Sequence, residues 1–180
     1  MRVTLATVMS VDARITQGGK VKTTFWRSVE DGLVLKQLIS QHQVLVMGRG
    51  TYDVVRPKPN THHLLVVLTS KPEAYADQAL PGSLEFVSLD PRQLINLLET
   101  RGYQTVLLLG GSSNVAFITS GVVDELYLTI EPSLFGDGLP LAQSLPAAVP
   151  LKLRKSKQLN RQGTLLLHYE VIKNTVATDA

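Results

Sequence analysis

The chain has 180 residues, 44% hydrophobic and 18% charged, with 18 Lys and Arg against 15 Asp and Glu and a formal net charge of +3. That length suits one domain with a substantial core, and the thinly scattered positive charge argues against a nucleic-acid surface. The absence of cysteine excludes disulfides, thiolate catalysis and cysteine-held zinc, and it suits a reducing cytoplasm. No apolar run approaches the roughly 20 residues needed to cross a bilayer. The N-terminus also lacks the layout of a signal peptide. A cytoplasmic protein is therefore expected, with neither nucleic acid nor membrane as partner.

In chain order, Arg2 to Met9 (RVTLATVM) has strand composition, and a polar loop from Ser10 to Arg27 follows. Ser28 and Asp31 have capping-box spacing at the start of a helix whose expected core face is Val29, Leu33, Val34, Leu38 and Ile39. Gln43 to Met47 is a short strand closed by Gly48, and Thr51 can cap a short helix that Pro57 stops. Leu64 to Leu68 (LLVVL) and Leu84 to Val87 are two more strands. Asp90 and Pro91 open a helix through Leu94, Leu97 and Leu98, which Gly102 ends. Thr105 to Leu109 is the most apolar strand, its following helix stops at Gly121, and Glu125 to Ile130 is a strand.

Beyond Pro132 the pattern changes. Phe135 to Leu139 (FGDGL) is a turn, with Asp137 as a simple turn residue. Leu151 to Leu159 and Thr164 to Ile172 alternate as a hairpin across Asn160 to Gly163. Within it the basic run Lys152 to Lys157 interleaves with leucine, as a solvated strand face does. The whole predicts an α/β three-layer domain over residues 1–173, with a flexible tail at 174–180. Its central sheet should be mixed and mostly parallel, with an antiparallel C-terminal hairpin.

Two apolar strands run into glycine turns that open helices: Val44 to Val55 (VLVMGRGTYDVV) and Thr105 to Ile118 (TVLLLGGSSNVAFI). Backbone N–H groups at such turns hold phosphate, so the pair suggests a dinucleotide. The order along the chain excludes the common fingerprint, because no G-x-G-x-x-G follows the first strand. Neither turn carries the Gly-Lys-Ser/Thr of a P-loop. Adjacent His62 and His63 lack a neighbouring carboxylate, and no metal site is expected.

The strings SVDARIT (Ser10 to Thr16), VLVMGRGTY (Val44 to Tyr52), VVLTS (Val66 to Ser70), LLLGGSSNVAFITSGVVDELYLTIEPSLFGDGLPL (Leu107 to Leu141) and HYEVI (His168 to Ile172) resemble the dihydrofolate-reductase-like fold. The resemblance is nearest to the reductase domain of the bacterial riboflavin-biosynthesis deaminase-reductase. It implies an NADPH-dependent reductase in riboflavin biosynthesis that converts the ribosyl group of 5-amino-6-(5-phosphoribosylamino)uracil to ribityl. With no deaminase zinc ligands in the chain, a stand-alone reductase is expected, and the resemblance implies a homodimer with the long terminal strands near the contact.

Carried over residue by residue, Gly48, Arg49, Gly50 and Thr51 would lie at the adenosine side and one phosphate. Gly110, Gly111, Ser112 and Ser113 would cradle the pyrophosphate, and Thr69, Ser70 and Lys71 would meet the 2′-phosphate. Arg49 and Lys71 have the charge for that extra phosphate. Asp12 in SVDAR is the expected catalytic acid beside the C=N bond that receives hydride, or else an ordinary turn residue; Ala13 stands where the family carries Gly. Trp26 is a candidate to stack on the substrate or to pack. Glu30 is a candidate for substrate contact or a helix-dipole role, and Glu131 for the ligand cleft. Arg56 and Lys58 are the cations available for a substrate phosphate. Two alternatives stay open: a dihydrofolate-reductase-like enzyme acting on a pterin or other small heterocycle, and a non-catalytic NADPH-binding sensor.

Overall fold

A computed structural model describes residues 1–18, 23–111 and 113–173; Ser112 and the tail at 174–180 lie outside the described residues. Eight strands form one sheet: β1 Arg2–Ser10, β2 Val44–Gly48, β3 Leu64–Leu68, β4 Leu84–Val87, β5 Thr105–Leu109, β6 Glu125–Glu131, β7 Leu151–Gln158 and β8 Leu165–Val171. Their order is β4-β3-β2-β5-β1-β6-β8-β7. The first six are parallel, while β8 runs antiparallel to β6 and β7 antiparallel to β8. The mixed sheet with a terminal hairpin is the architecture expected from the sequence.

Among the described residues four α-helices cover the two faces: α1 Val29–Ser40, α2 Arg49–Val55, α3 Pro91–Thr100 and α4 Asn114–Thr119. Leu94, Ile95 and Leu98 of α3 and Phe117 of α4 pack against Val3, Leu5, Val46, Val66 and Val106 on one face. On the other, Leu38 of α1 meets Ala6 and Leu107, and Tyr52 of α2 meets Met47, Leu65 and Val67. Strands buried on both sides explain the unbroken apolar runs, since neither face needs polar residues.

Three local expectations are corrected. Val29 and Leu33 are 76% and 62% exposed, and the buried face of α1 centres on Leu38. At about 100° per residue they lie on the side opposite Leu38, so the i, i+4 pair marked the wrong stripe. At the start of α1, Ser28 caps by accepting from Asp31 N (3.2 Å), but Asp31's carboxylate turns inward instead of closing a box. α2 starts three residues early, with Gly48 and not Thr51 as its N-cap, so Thr51 is inside the helix. The true capping box is at α3, where Asp90 and Gln93 each accept from the other's backbone N–H (2.9 and 3.2 Å).

β1 connects toward β2 on one side of the sheet, and β5 connects toward β6 on the other. The carboxyl ends of neighbouring β1 and β5 therefore flank a topological switch point, where open α/β sheets bind ligands.

Candidate active site

A cleft of about 620 Å³ opens there, between α1, α2 and the sheet. Its size falls within the usual range for small-molecule and cofactor sites. The walls are mainly apolar, from Val34, Leu35, Leu38 and Ile39 of α1 and from Leu45 and Met47 of β2.

Both glycine turns meet at this cleft, because β2 and β5 are neighbours. Gly50, Thr51, Gly110 and Gly111 line it. Gly110 has φ +121°, and a Cβ there would come within 2.7 Å of Thr51 Oγ1, so only glycine lets the two turns close together. Gly48 also lies beside Ser113, its Cβ position at an ordinary contact distance of 3.7 Å from Ser113 Oγ. The two turns thus meet at one place in the cleft. Among the described residues no side chain caps the start of α2 or α4, in contrast to α1 and α3.

The cleft also holds a carboxylate that the sequence reading assigned to capping. Asp31 is 5% exposed and lines the wall. Burial pushes its carboxyl up from the usual range, opposed by a hydrogen bond with Thr129 and by Arg27, and reinforced by the negative charge of Glu131. Arg27 Nη1 lies 3.7 Å from Asp31 Oδ2. A carboxyl that burial pushes above the usual range, inside a cleft, is placed to hydrogen-bond a ligand and to exchange a proton with it.

Glu131 supports this arrangement from behind. Its Oε1 accepts from Ser28 N and Oγ (both 2.7 Å) and its Oε2 from Thr164 Oγ1 (2.8 Å). Buried and fully engaged, it fixes the start of α1 and hence Asp31. Its acceptors are engaged by Ser28 and Thr164, and it lies behind the residues that line the cleft.

The structure does not bring Asp12 to the cleft wall either. Its carboxylate accepts from Ser10 Oγ (2.6 Å), Phe135 N (3.0 Å) and Gly136 N (2.8 Å), clasping the 10–14 turn to the loop after β6. These hydrogen bonds, Ser10's first, lower its pKa to about 2. A depressed carboxylate contributes stability above its ordinary titration range and loses it as pH falls toward that value. Such a group is an ionised clasp, unsuited to proton exchange near neutrality. Ala13 takes the left-handed conformation (φ +60°), which costs an alanine what a glycine would not pay.

Trp26 and Glu30 also lie off the wall. Trp26 packs edge-on to Phe135 (4.9 Å), and Glu30 accepts from Asn160 Nδ2 (3.2 Å), tying α1 to the β7–β8 turn. Arg49 is salt-bridged to Asp53 (2.8 Å). Thr69, Ser70 and Lys71 follow β3 at the same carboxyl edge as the turns, with Thr69 Oγ1 accepting from Lys71 N (3.2 Å). Arg56 points away, held by Gln78 (2.9 Å) and stacked over Tyr52. Lys58 does line the cleft.

The family model described as the RibD C-terminal domain matches residues 1–165. The chain belongs to that family. Among curated relatives, the uncharacterized protein YwjB of Bacillus subtilis (strain 168) is 26% identical over 130 residues, covering 69% of this chain and 71% of its own. Two solved structures share the fold of this RibD C-terminal domain. A putative riboflavin biosynthesis protein from Shewanella sp. PV-4 is 23% identical with a TM-score of 0.76, covering 96% of this chain and 99% of its own. The deaminase/5-amino-6-(5-phosphoribosylamino)uracil reductase of Thermotoga maritima is 16% identical with a TM-score of 0.75; the match covers 95% of this chain and 56% of that one.

Reductases of this family imply a nicotinamide-type cofactor, and the residues present fit one. The Gly110–Thr51 approach leaves a backbone-lined cradle free of bulky side chains at the mouth of the cleft. Asp31 was missed by sequence reasoning, although a signal was there: it stands at i with Val34, Leu35 and Leu38 at i+3, i+4 and i+7, an acid inside the apolar stripe.

Proposed function

We propose that this chain is a cytoplasmic NADPH-dependent reductase of an aminopyrimidine, with 5-amino-6-(5-phosphoribosylamino)uracil as its leading substrate in riboflavin biosynthesis. One observation carries the reading: a buried carboxylate, Asp31, and two touching glycine turns open into the same cleft. Gly110 and Gly111, with Ser112 and Ser113 by resemblance, hold the pyrophosphate, and Gly48, Gly50 and Thr51 lie against the adenosine side and one phosphate. Thr69, Ser70 and Lys71, with Arg49, take the 2′-phosphate end. When bound, the cofactor supplies the hydride. The protein's share is alignment and electrostatics.

Asp31 takes the part expected of Asp12. Its carboxyl anchors the heterocycle's N–H edge and keeps a proton on the C=N nitrogen while the adjoining carbon is reduced. Val34, Leu35 and Leu38 exclude water around it, which strengthens that interaction. Thr129 orients the carboxyl and Glu131 fixes the helix that carries it. Asp12, Trp26 and Glu30 shape the surrounding loops.

Asp31 also favours a second reading, a dihydropterin substrate, because a carboxylate pairs two-pronged with an amino group and adjacent ring N–H. The deciding assay follows NADPH oxidation with each compound. Turnover of the ribosylaminouracil phosphate, with NADH much poorer, is the expected result. Turnover of dihydrofolate alone selects the second reading; NADPH binding without any turnover leaves a sensor.

The enzyme works as a homodimer through the β7–β8 face. β7 is an edge strand exposed at every position, and its Leu151 and Leu153 are 44% and 51% exposed. Gel filtration at micromolar concentration should give a dimer, and a monomer peak there overturns the assignment.

A further inference from the structure

The chain contains two Asp-Gly pairs, Asp31–Gly32 and Asp137–Gly138, and no Asn-Gly. An aspartyl carboxyl followed by glycine is open to attack by the next backbone nitrogen, because no Cβ hinders the approach. As sequence the two pairs are equivalent. The structure separates them. Gly32 lies in the first turn of α1, where its N–H donates to the Ser28 carbonyl (3.3 Å), and the buried Asp31 carboxyl faces the cleft. That nitrogen belongs to the helix and is not offered to the side chain before it.

Asp137–Gly138 has the opposite arrangement. Asp137 is exposed, in the loop between β6 and β7. Gly138 N donates to Asp137 Oδ1 (2.7 Å) and, among the described residues, to nothing else. The carboxyl thus already rests against the nitrogen that can attack it, with solvent at hand to take up the leaving oxygen.

We propose that Asp137–Gly138 is a site of spontaneous isoaspartate formation in the folded protein. Gly138 N attacks Asp137 Cγ, and the new N–Cγ bond closes a succinimide ring. One Cγ–O bond breaks, and its oxygen leaves as water, carrying the amide proton and the proton of the carboxylic acid. Water then adds back. Opening at Cγ restores aspartate, whereas opening at the α-carbonyl leaves the main chain running through Cβ and Cγ. Nothing is oxidised or reduced, and the product is an isomer of the starting chain.

The isomer lengthens the backbone by one atom between fixed points. On one side Gly136 N donates to Asp12 Oδ2 (2.8 Å). On the other, Arg14 Nη1 donates to the Gly138 carbonyl (3.3 Å) and Leu139 N to Thr16 Oγ1 (2.8 Å). The added atom displaces one of these anchors. Thr16 and Leu139 line the cleft, so the isomerised chain should hold the heterocycle less tightly. That consequence rests on the reductase reading; the modification itself does not.

The test is to age the whole chain at neutral pH and physiological temperature, folded and in urea, and to follow both peptides by mass spectrometry with electron-transfer fragmentation. In the folded chain isoaspartate should be about 10-fold or more abundant at Asp137 than at Asp31, because α1 must open before Gly32 N is free. In urea the two sites should convert alike. Asp137→Glu should abolish the signal at this loop while keeping the charge. If the folded chain forms no isoaspartate at Asp137 while the chain in urea does, or forms as much at Asp31, the proposal is wrong. In turnover, KM of the wild type should rise with its isoaspartate content, and aged Asp137→Glu should keep its starting KM. Isoaspartate at Asp137 with an unchanged KM overturns the effect on the cleft. No reduction of any heterocycle sinks the reductase, while the peptide analysis still decides the modification.

Discussion

Asp31→Asn is expected to lower kcat by about 100- to 1,000-fold, the usual share of a positioned acid, while NADPH affinity changes by less than about twofold. The asymmetry follows from placement. Asp31 lies on α1, whereas the cradle at Thr51, Gly110 and Gly111 is built from the first turn of α2 and the turn after β5. Asparagine retains an acceptor for Thr129 and similar volume, so lost turnover reports lost chemistry. Stability should move the other way. Burial raises the folded-state pKa of Asp31, so its contribution favours folding below the ordinary carboxylate value and is lost as pH rises through the raised one. At neutral pH the native carboxylate is therefore a burden, and Asp31→Asn should melt no lower than the parent. Differential scanning calorimetry and stopped-flow turnover check the two halves. A large drop in Tm together with lost cofactor binding would make Asp31 a structural residue and remove it from the chemistry.

The same residue shows where a sequence stops being legible. Strands such as Leu64–Leu68 and Thr105–Leu109 are readable because burial on both faces leaves a run with no polar interruption. The glycine turns are readable because the chain must change direction there. Asp31 satisfied two patterns at once, three residues after a cap and inside an apolar stripe, and the capping pattern was the more familiar. Glu131 was beyond local pattern altogether. Its partners Ser28 and Thr164 lie 103 and 33 residues away, and only the β1–β6–β8 pairing brings them together. Asp12 shows the same limit in part. Ser10, inside its own motif, does most to hold the carboxylate low, but Phe135 and Gly136, on a loop over 120 residues downstream, complete the clasp.

That loop carries the second large effect. Gly138→Ala should cost about 3 kcal/mol or more and lower Tm by about 6–12 °C, at 2–4 °C per kcal/mol for a domain of this size. Gly138 has φ +137°, and a Cβ there would sit 1.9 Å from the Thr16 carbonyl oxygen. The obstacle is backbone, so no rotamer change relieves it. The backbone cannot retreat cheaply either, because Leu139 N donates to Thr16 Oγ1 and Ile15 N donates to the Leu139 carbonyl (both 2.8 Å). Ile15, Thr16 and Leu139 line the cleft, so the shift should also raise KM for the heterocycle. Gly136→Ala separates the two possible costs. Gly136 has φ +71° with open space around its Cβ position, so only the conformational penalty of about 1–2 kcal/mol applies there. Thermal melts should thus place Gly138→Ala well below Gly136→Ala. Equal melting temperatures would mean that the 13–16 and 136–141 segments do not press together, and that the cleft mouth is not held by this contact.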